Sequence, residues 1–149
     1  MSDEIKFDVR LDYDALKEYN RLDNSVLVIV NKQIDELELR ADEIGKPLEN
    51  NNSTKLAGCR EIKLRDAGIR IVYRITNETV EVLRIVYILT IEKRSRDSAF
   101  KIADKRNRSF KQLKNSERDK YLSKTPKWSD KKKSTKKKKS TNENCDTPK

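Results

Sequence analysis

The chain has 149 residues, with 35 Lys plus Arg against 25 Asp plus Glu, no histidine, and a net charge of +10. With 40% charged and 34% hydrophobic residues, it is long enough for one modest domain and something added to it. The missing histidines exclude Ser-His-Asp and Cys-His catalysis and His-ligated metals, and two cysteines, Cys59 and Cys145, are too few for a metal cluster or a disulfide framework.

The first residues, MSDEIKFD, are acidic and lack the apolar centre of a signal peptide. Lys6 to Leu11 alternates Phe7, Val9 and Leu11 with polar residues and predicts a short strand. Asp12 or Asp14 can cap a following helix through Leu16, Tyr19 and Leu22. After Asp23-Asn24-Ser25, an apolar stripe of Val26, Val30, Ile34, Leu37, Ala41 and Ile44 predicts a long helix, with Gly45 at its C-cap and Pro47 beyond. ENNNST, Glu49 to Thr54, reads as a polar loop. From Glu61 the period is two. Ile62 and Leu64 face one way, Glu61, Lys63 and Arg65 the other, and Asp66-Ala67-Gly68 makes a turn. Ile69, Ile71, Tyr73 and Ile75 then line the core, with Arg70, Val72 and Arg74 opposite. A second turn is expected at Asn77-Glu78. The strand from Val80 to Ile91 changes phase at Leu83, which predicts a bulge or a strand covered on both faces. Ser98 can cap a last helix carrying Ala99, Ile102, Ala103, Arg106, Phe110 and Leu113.

The apolar runs Val26 to Val30 and Ile85 to Ile91 are too short to cross a bilayer, so a soluble, cytoplasmic protein without a membrane partner is expected. Charge is unevenly spread. Residues 1–100 hold 17 basic and 19 acidic side chains, whereas residues 101–149 hold 18 and 6. The domain is therefore drawn over residues 1–110, and residues 111–149 read as a Lys-rich, disordered extension. Its KKKSTKKKK segment supplies Lys131, Lys132, Lys133, Lys136, Lys137, Lys138 and Lys139, an electrostatic tail suited to a polyanion such as nucleic acid. Trp128 reads as an incidental aromatic in that tail, or else as a ring that stacks on RNA.

Lys63, Arg65, Arg70 and Arg74 point to one face of adjacent antiparallel strands, and Arg94 and Arg96 follow the last strand. Guanidinium forks match phosphate oxygens, and a lysine among basic neighbours can act as a point charge or a proton carrier. The same residues also read as ordinary charges on a solvated sheet face, paired with Glu61, Asp66 and Glu81.

The run GCREIKLRDAGIRIVYRI, then a hydrophobic strand and EKRSRDSAFKIADKR, resembles the RelE branch of the RelE/ParE toxins of bacterial toxin–antitoxin systems. Upstream, ALKEYNRLDNSV, the long helix, GKPL and KLAG extend the resemblance to residues 5–108. It implies an α/β (α+β) fold, in which an N-terminal strand and two helices pack on a curved antiparallel sheet, with a C-terminal helix and a disordered basic tail. It implies a toxin that cleaves mRNA on the ribosome, without metal or small-molecule cofactor, through attack of a 2′-OH on the adjacent phosphate. Lys63, Arg70 and Arg94 match the catalytic positions: Lys63 for proton abstraction or transition-state charge, Arg70 for phosphate oxygens, and Arg94 for phosphate or leaving group. Arg65, Arg74, Arg96 and Phe100 would contact RNA, Phe100 by stacking on a base. The partners implied are a cognate antitoxin, the ribosome and mRNA.

Two positions depart from the pattern. Glu61 stands where the family often has a second lysine, and Phe100 where RelE has a tyrosine. Tyr73 and Tyr87 read as core-facing and cannot replace it. The acid/base assignment is thus open between a slow nuclease, a different proton carrier and an inactive relative. Two other classes stay in view: a ParE-like toxin that inhibits DNA gyrase, and a non-catalytic RNA-binding domain.

Overall fold

The structure is a computed structural model that describes residues 4–80, 83–93 and 96–134, the side chains of Val80 and Arg96 excepted. Ten elements follow in order. They are β1 (Phe7–Leu11), α1 (Tyr13–Asn20), α2 (Asn24–Arg40), β2 (Lys46–Pro47), β3 (Cys59–Leu64), β4 (Ile69–Val80), β5 (Leu83–Glu92), α3 (Arg96–Lys111), α4 (Asn115–Lys124) and α5 (Trp128–Lys131). The sheet order is β1-β5-β4-β3-β2. β2 to β5 form an antiparallel meander, and β1 joins it as the parallel neighbour of β5.

The alternation in β3 and β4 builds two cores rather than one. Ile62, Leu64, Ile69, Ile71 and Tyr73 meet Leu27, Val30, Ile34 and Leu37 of α2. Val72, on the opposite face, meets Ile85, Tyr87 and Leu89 of β5 and Ala99, Ala103 and Phe110 of α3. β5 is covered on both sides, which is why every residue from Ile85 to Glu92 is buried. A register shift beside Val72 and Tyr73 sets Leu89 as an extra residue in β5, whereas the phase change at Leu83 falls where β4 has ended at Val80 and β5 begins.

The cap at Asp12 is as expected: its carboxylate accepts from the Asp14 and Ala15 amides at 2.9 and 3.3 Å. Gly45 serves a different purpose from a cap. A Cβ there would collide with the Tyr73 hydroxyl, which donates to the Ala41 carbonyl at 2.8 Å and ties the end of α2 to the sheet. Gly68, at φ +67°, makes the turn between β3 and β4. Lys46 and Pro47 form the short edge strand β2, where a missing N–H costs no ladder bond.

Two expectations are corrected. Asn77-Glu78 is an irregularity within β4, since Ile75 pairs with Val86 and Thr79 with Arg84, and the hairpin closes beyond Val80. The Thr76 hydroxyl donates to the Ile85 carbonyl at 2.9 Å and accepts from the Glu78 amide at 3.2 Å, holding the bulge. Residues 111–134 do not form a disordered extension either, because α4 and α5 continue the same body. The chain crosses the β1 edge, where the Leu11 amide donates to the Pro126 carbonyl at 2.9 Å. Trp128 then enters the α2-side core at 1% exposure, edge-on to Tyr19 with centroids 5.2 Å apart. It is a core residue. Residues 135–149, with Lys136, Lys137, Lys138 and Lys139, lie outside the described residues.

Candidate nucleic-acid interface

Period two and the β3–β4 register bring the predicted cations together in part. Lys63 lies directly across from Arg70, and Arg70 lies across from Glu92 on its other side. The three form a row at the hairpin end of the sheet, on the face away from α2. Lys63 is exposed and Glu92 is buried. Two residue pairs along, Glu61 is buried beside Val72, and its Oε1 accepts from Arg70 Nη1 at 2.9 Å. The Arg70 side chain keeps 23% exposure, against 2% for Glu61. One edge of the guanidinium is thus held from below by a carboxylate while the group still meets solvent. That arrangement presents a fixed donor next to an exposed ammonium, which suits a phosphate.

Farther along the face the reading changes. Arg74 donates to Asn107 Oδ1 at 2.8 Å and lies over the Phe110 ring at 5.3 Å, both on α3. It is a clamp between sheet and helix, not an open phosphate contact. Phe100 is 8% exposed and packed in the α3-side core, so its ring offers no stacking surface. Arg65 is exposed in the turn after β3. Arg96 opens α3 with an undescribed side chain, and Arg94 lies outside the described residues. Of the tail cations, Lys131 is exposed, Lys132 pairs with Asp35 at 2.7 Å, and Lys133 sits over the Tyr19 ring at 5.9 Å.

Polar contacts that join residues far apart in the chain pin these elements. Arg106 pairs with Glu18 at 2.9 Å and Asp12 at 3.6 Å, fastening α3 to α1. The Tyr87 hydroxyl donates to Asp12 Oδ1 at 3.0 Å and lies 3.2 Å from the Tyr121 hydroxyl, beside a cavity of about 470 Å³. Burial pushes the Asp12 carboxyl above its usual range, and burial with the neighbouring Asp12 charge raises the Tyr87 hydroxyl. Tyr87 is therefore a poor proton carrier. Tyr73 is pushed up to about 12, chiefly by burial. Nothing in the spacing of Tyr121, eleven residues after Phe110, marks it as a partner of Tyr87.

No protein-family model matches the chain. The mRNA interferase toxin RelE of Escherichia coli strain K12 is 34% identical over 98 residues, covering 64% of this chain and 94% of the relative. The chain belongs to the RelE toxin family. The mRNA interferase RelE of Shigella flexneri matches to the same extent. In three dimensions, a free arginine-substituted mutant of the E. coli toxin RelE is similar at a TM-score of 0.51 and 27% identity. The similarity covers 69% of this chain and 98% of that one. No helix among the described residues is long and apolar enough to cross a membrane.

Proposed function

We propose that this protein is the toxin of a type II toxin–antitoxin pair and cuts mRNA on the ribosome. The observation that carries the reading is Lys63 directly opposite a half-open, carboxylate-held Arg70, in a chain that matches nearly the whole of a RelE mRNA interferase. The reaction is a transesterification. The 2′-oxygen forms a bond to the adjacent phosphorus as the P–O5′ bond breaks, the 2′-OH proton leaves to a base, and the 5′-oxygen gains a proton. The products are a 2′,3′-cyclic phosphate and a 5′-OH. Lys63 accepts the 2′-OH proton or stabilises charge in the transition state, and Arg70 binds the non-bridging oxygens with its solvent-facing edge. Arg94 is assigned to the leaving-group side. Arg65 steers the phosphate backbone at the turn.

The protein acts in the cytoplasm, and a cognate antitoxin with an acidic segment covers the basic corner. Primer extension on translated mRNA, with purified protein and ribosomes, tests the reading. Cuts within codons are expected only when ribosomes are present. Lys63→Ala and Arg70→Lys should each lower cleavage about 100-fold, the cost of one misplaced donor to a transition-state oxyanion. Unchanged cleavage in both would remove the site assignment. Gyrase-dependent DNA breaks with intact mRNA would indicate a ParE-like toxin, and RNA binding without either activity a non-catalytic domain.

A further inference from the structure

The last described segment builds a groove on the side of the sheet away from Lys63 and Arg70. After Pro126 the chain turns over β1, and α5 lies against α2, leaving a groove of about 480 Å³ between them. Lys32 of α2 and Lys132 and Lys133 of the C-terminal segment line it. Ser129 adds a neutral hydrogen-bonding group, and Val28, 57% exposed, adds an apolar spot on the α2 face that carries Lys32. Asp35 is the one carboxylate among the lining residues, and it is already engaged by Trp128 Nε1 at 2.9 Å and Lys132 Nζ at 2.7 Å.

The groove's backbone is fixed from within. The Lys133 amide donates to the Tyr19 hydroxyl at 2.8 Å, and Asn31 Nδ2 donates to the Lys133 carbonyl at 2.8 Å. The lysines are therefore held on a framed surface, and the sequence adds Lys136 to Lys139 within the next six positions. Alternation in β3 and β4 places Lys63 and Arg70 on the opposite face from the residues that pack on α2. The two basic surfaces are thus separated by the sheet.

We propose that the groove between α2 and α5 is a second binding site for an RNA phosphodiester backbone, one that can be filled while Lys63 and Arg70 hold another RNA segment. Lys32 meets a phosphate, joined by Lys133, whose ammonium also donates to the Asn20 carbonyl at 3.0 Å, and by Lys132 beside its Asp35 partner, while Ser129 bonds sugar or phosphate oxygens and Val28 packs on a sugar or base face. The identity of that RNA as ribosomal rests on the toxin reading above; the existence of the site does not. An acidic protein would satisfy the lysines but would leave less use for an exposed Val28 near the Ser129 hydroxyl.

The test is fluorescence anisotropy of a labelled oligouridylate with the full chain across a salt series. In a Lys63→Ala/Arg70→Gln background, which keeps a donor for Glu61, one binding site should remain. Adding Lys32→Glu and Lys133→Gln should weaken it at least about tenfold and lower the salt slope by roughly 0.7 for each phosphate no longer neutralised. Lys32→Glu alone gives a second measurement, since Lys32 is exposed and makes no ion pair among the described residues, so the fold is undisturbed. Unchanged affinity and slope in both variants would overturn the site, as would a run Lys136 to Lys139 that alone accounted for binding. Loss of polyglutamate binding with oligouridylate binding intact would also overturn it, in favour of an acidic protein. Absent mRNA cleavage with intact groove binding would instead remove only the toxin reading.

Discussion

Glu61 changes what Arg70 can do. At 2% side-chain exposure it is a carboxylate removed from water and satisfied by a guanidinium 2.9 Å away. Breaking such a pair from one side leaves the other charge in low dielectric, so the two halves are not equivalent to remove. Glu61→Gln keeps an acceptor and should cost about 1–3 kcal/mol in urea unfolding. Arg70→Ala strands the carboxylate and should cost about 3–5 kcal/mol, which is why Arg70→Lys is the cleaner probe of cleavage. Cys59, on the same sheet face as Arg74, shows burial acting on a thiol, raising its pKa from 9.0 to about 11. The folded state holds this proton more tightly than the unfolded one. Its contribution is therefore complete below pH 9 and fades as pH rises through about 11. Stability measured from pH 8 to pH 11 should fall less steeply in Cys59→Ala than in the parent. An equal slope in both would mean that the thiol is not the titrating group.

At the scale of elements, legibility followed the strength of the periodic signal. α2 could be read from its stripe because Val30, Ile34 and Leu37 do pack on the sheet, and the β3–β4 alternation placed Lys63 and Arg70 on one face. α4 and α5 could not be read. Among α4's ten residues only Leu122 is buried, and α5 is a four-residue turn around Trp128 in a lysine-rich stretch. Long-range bonds hold them: Arg10 donates to the Ser123 and Thr125 carbonyls at 3.1 and 3.0 Å, and Tyr13 to the Lys124 carbonyl at 2.9 Å. Such partners leave no local pattern. The same blindness hid the coverage of Phe100 and Arg74, since a helix with charged flanks gave no sign of which sheet residues it would close over. Trp128→Ala should cost about 3–5 kcal/mol by denaturant titration, the usual loss for a large buried aromatic. A loss below about 1 kcal/mol would show that the segment is not docked.

For the whole molecule, the net charge of +10 resolves into three places. A small basic corner holds Lys63 and Arg70, a second basic groove holds Lys32, Lys132 and Lys133, and the chain continues past Ser134 with four more lysines before position 140. Truncation after Ser134 should lower the salt slope of ribosome association by at most about 3, on the scale of roughly 0.7 per neutralised phosphate. Sedimentation with ribosomes across a salt series checks this, and an unchanged slope would make the lysine run irrelevant to that association.

The segment that crosses β1 also has a kinetic meaning. Its bonds join residues far apart in the chain: Asp35 to Trp128, Asn31 to Lys133, and Arg10 to Thr125. Contacts that close such long loops cost more entropy to form, so the meander and α2 are expected to assemble before them. Interactions absent from the folding transition state act almost wholly on the unfolding rate. In stopped-flow experiments Trp128→Ala should therefore speed escape from the native state while the refolding limb stays in place. That outcome would make the C-terminal segment a latch on a finished domain, setting how long it stays folded more than how fast it folds.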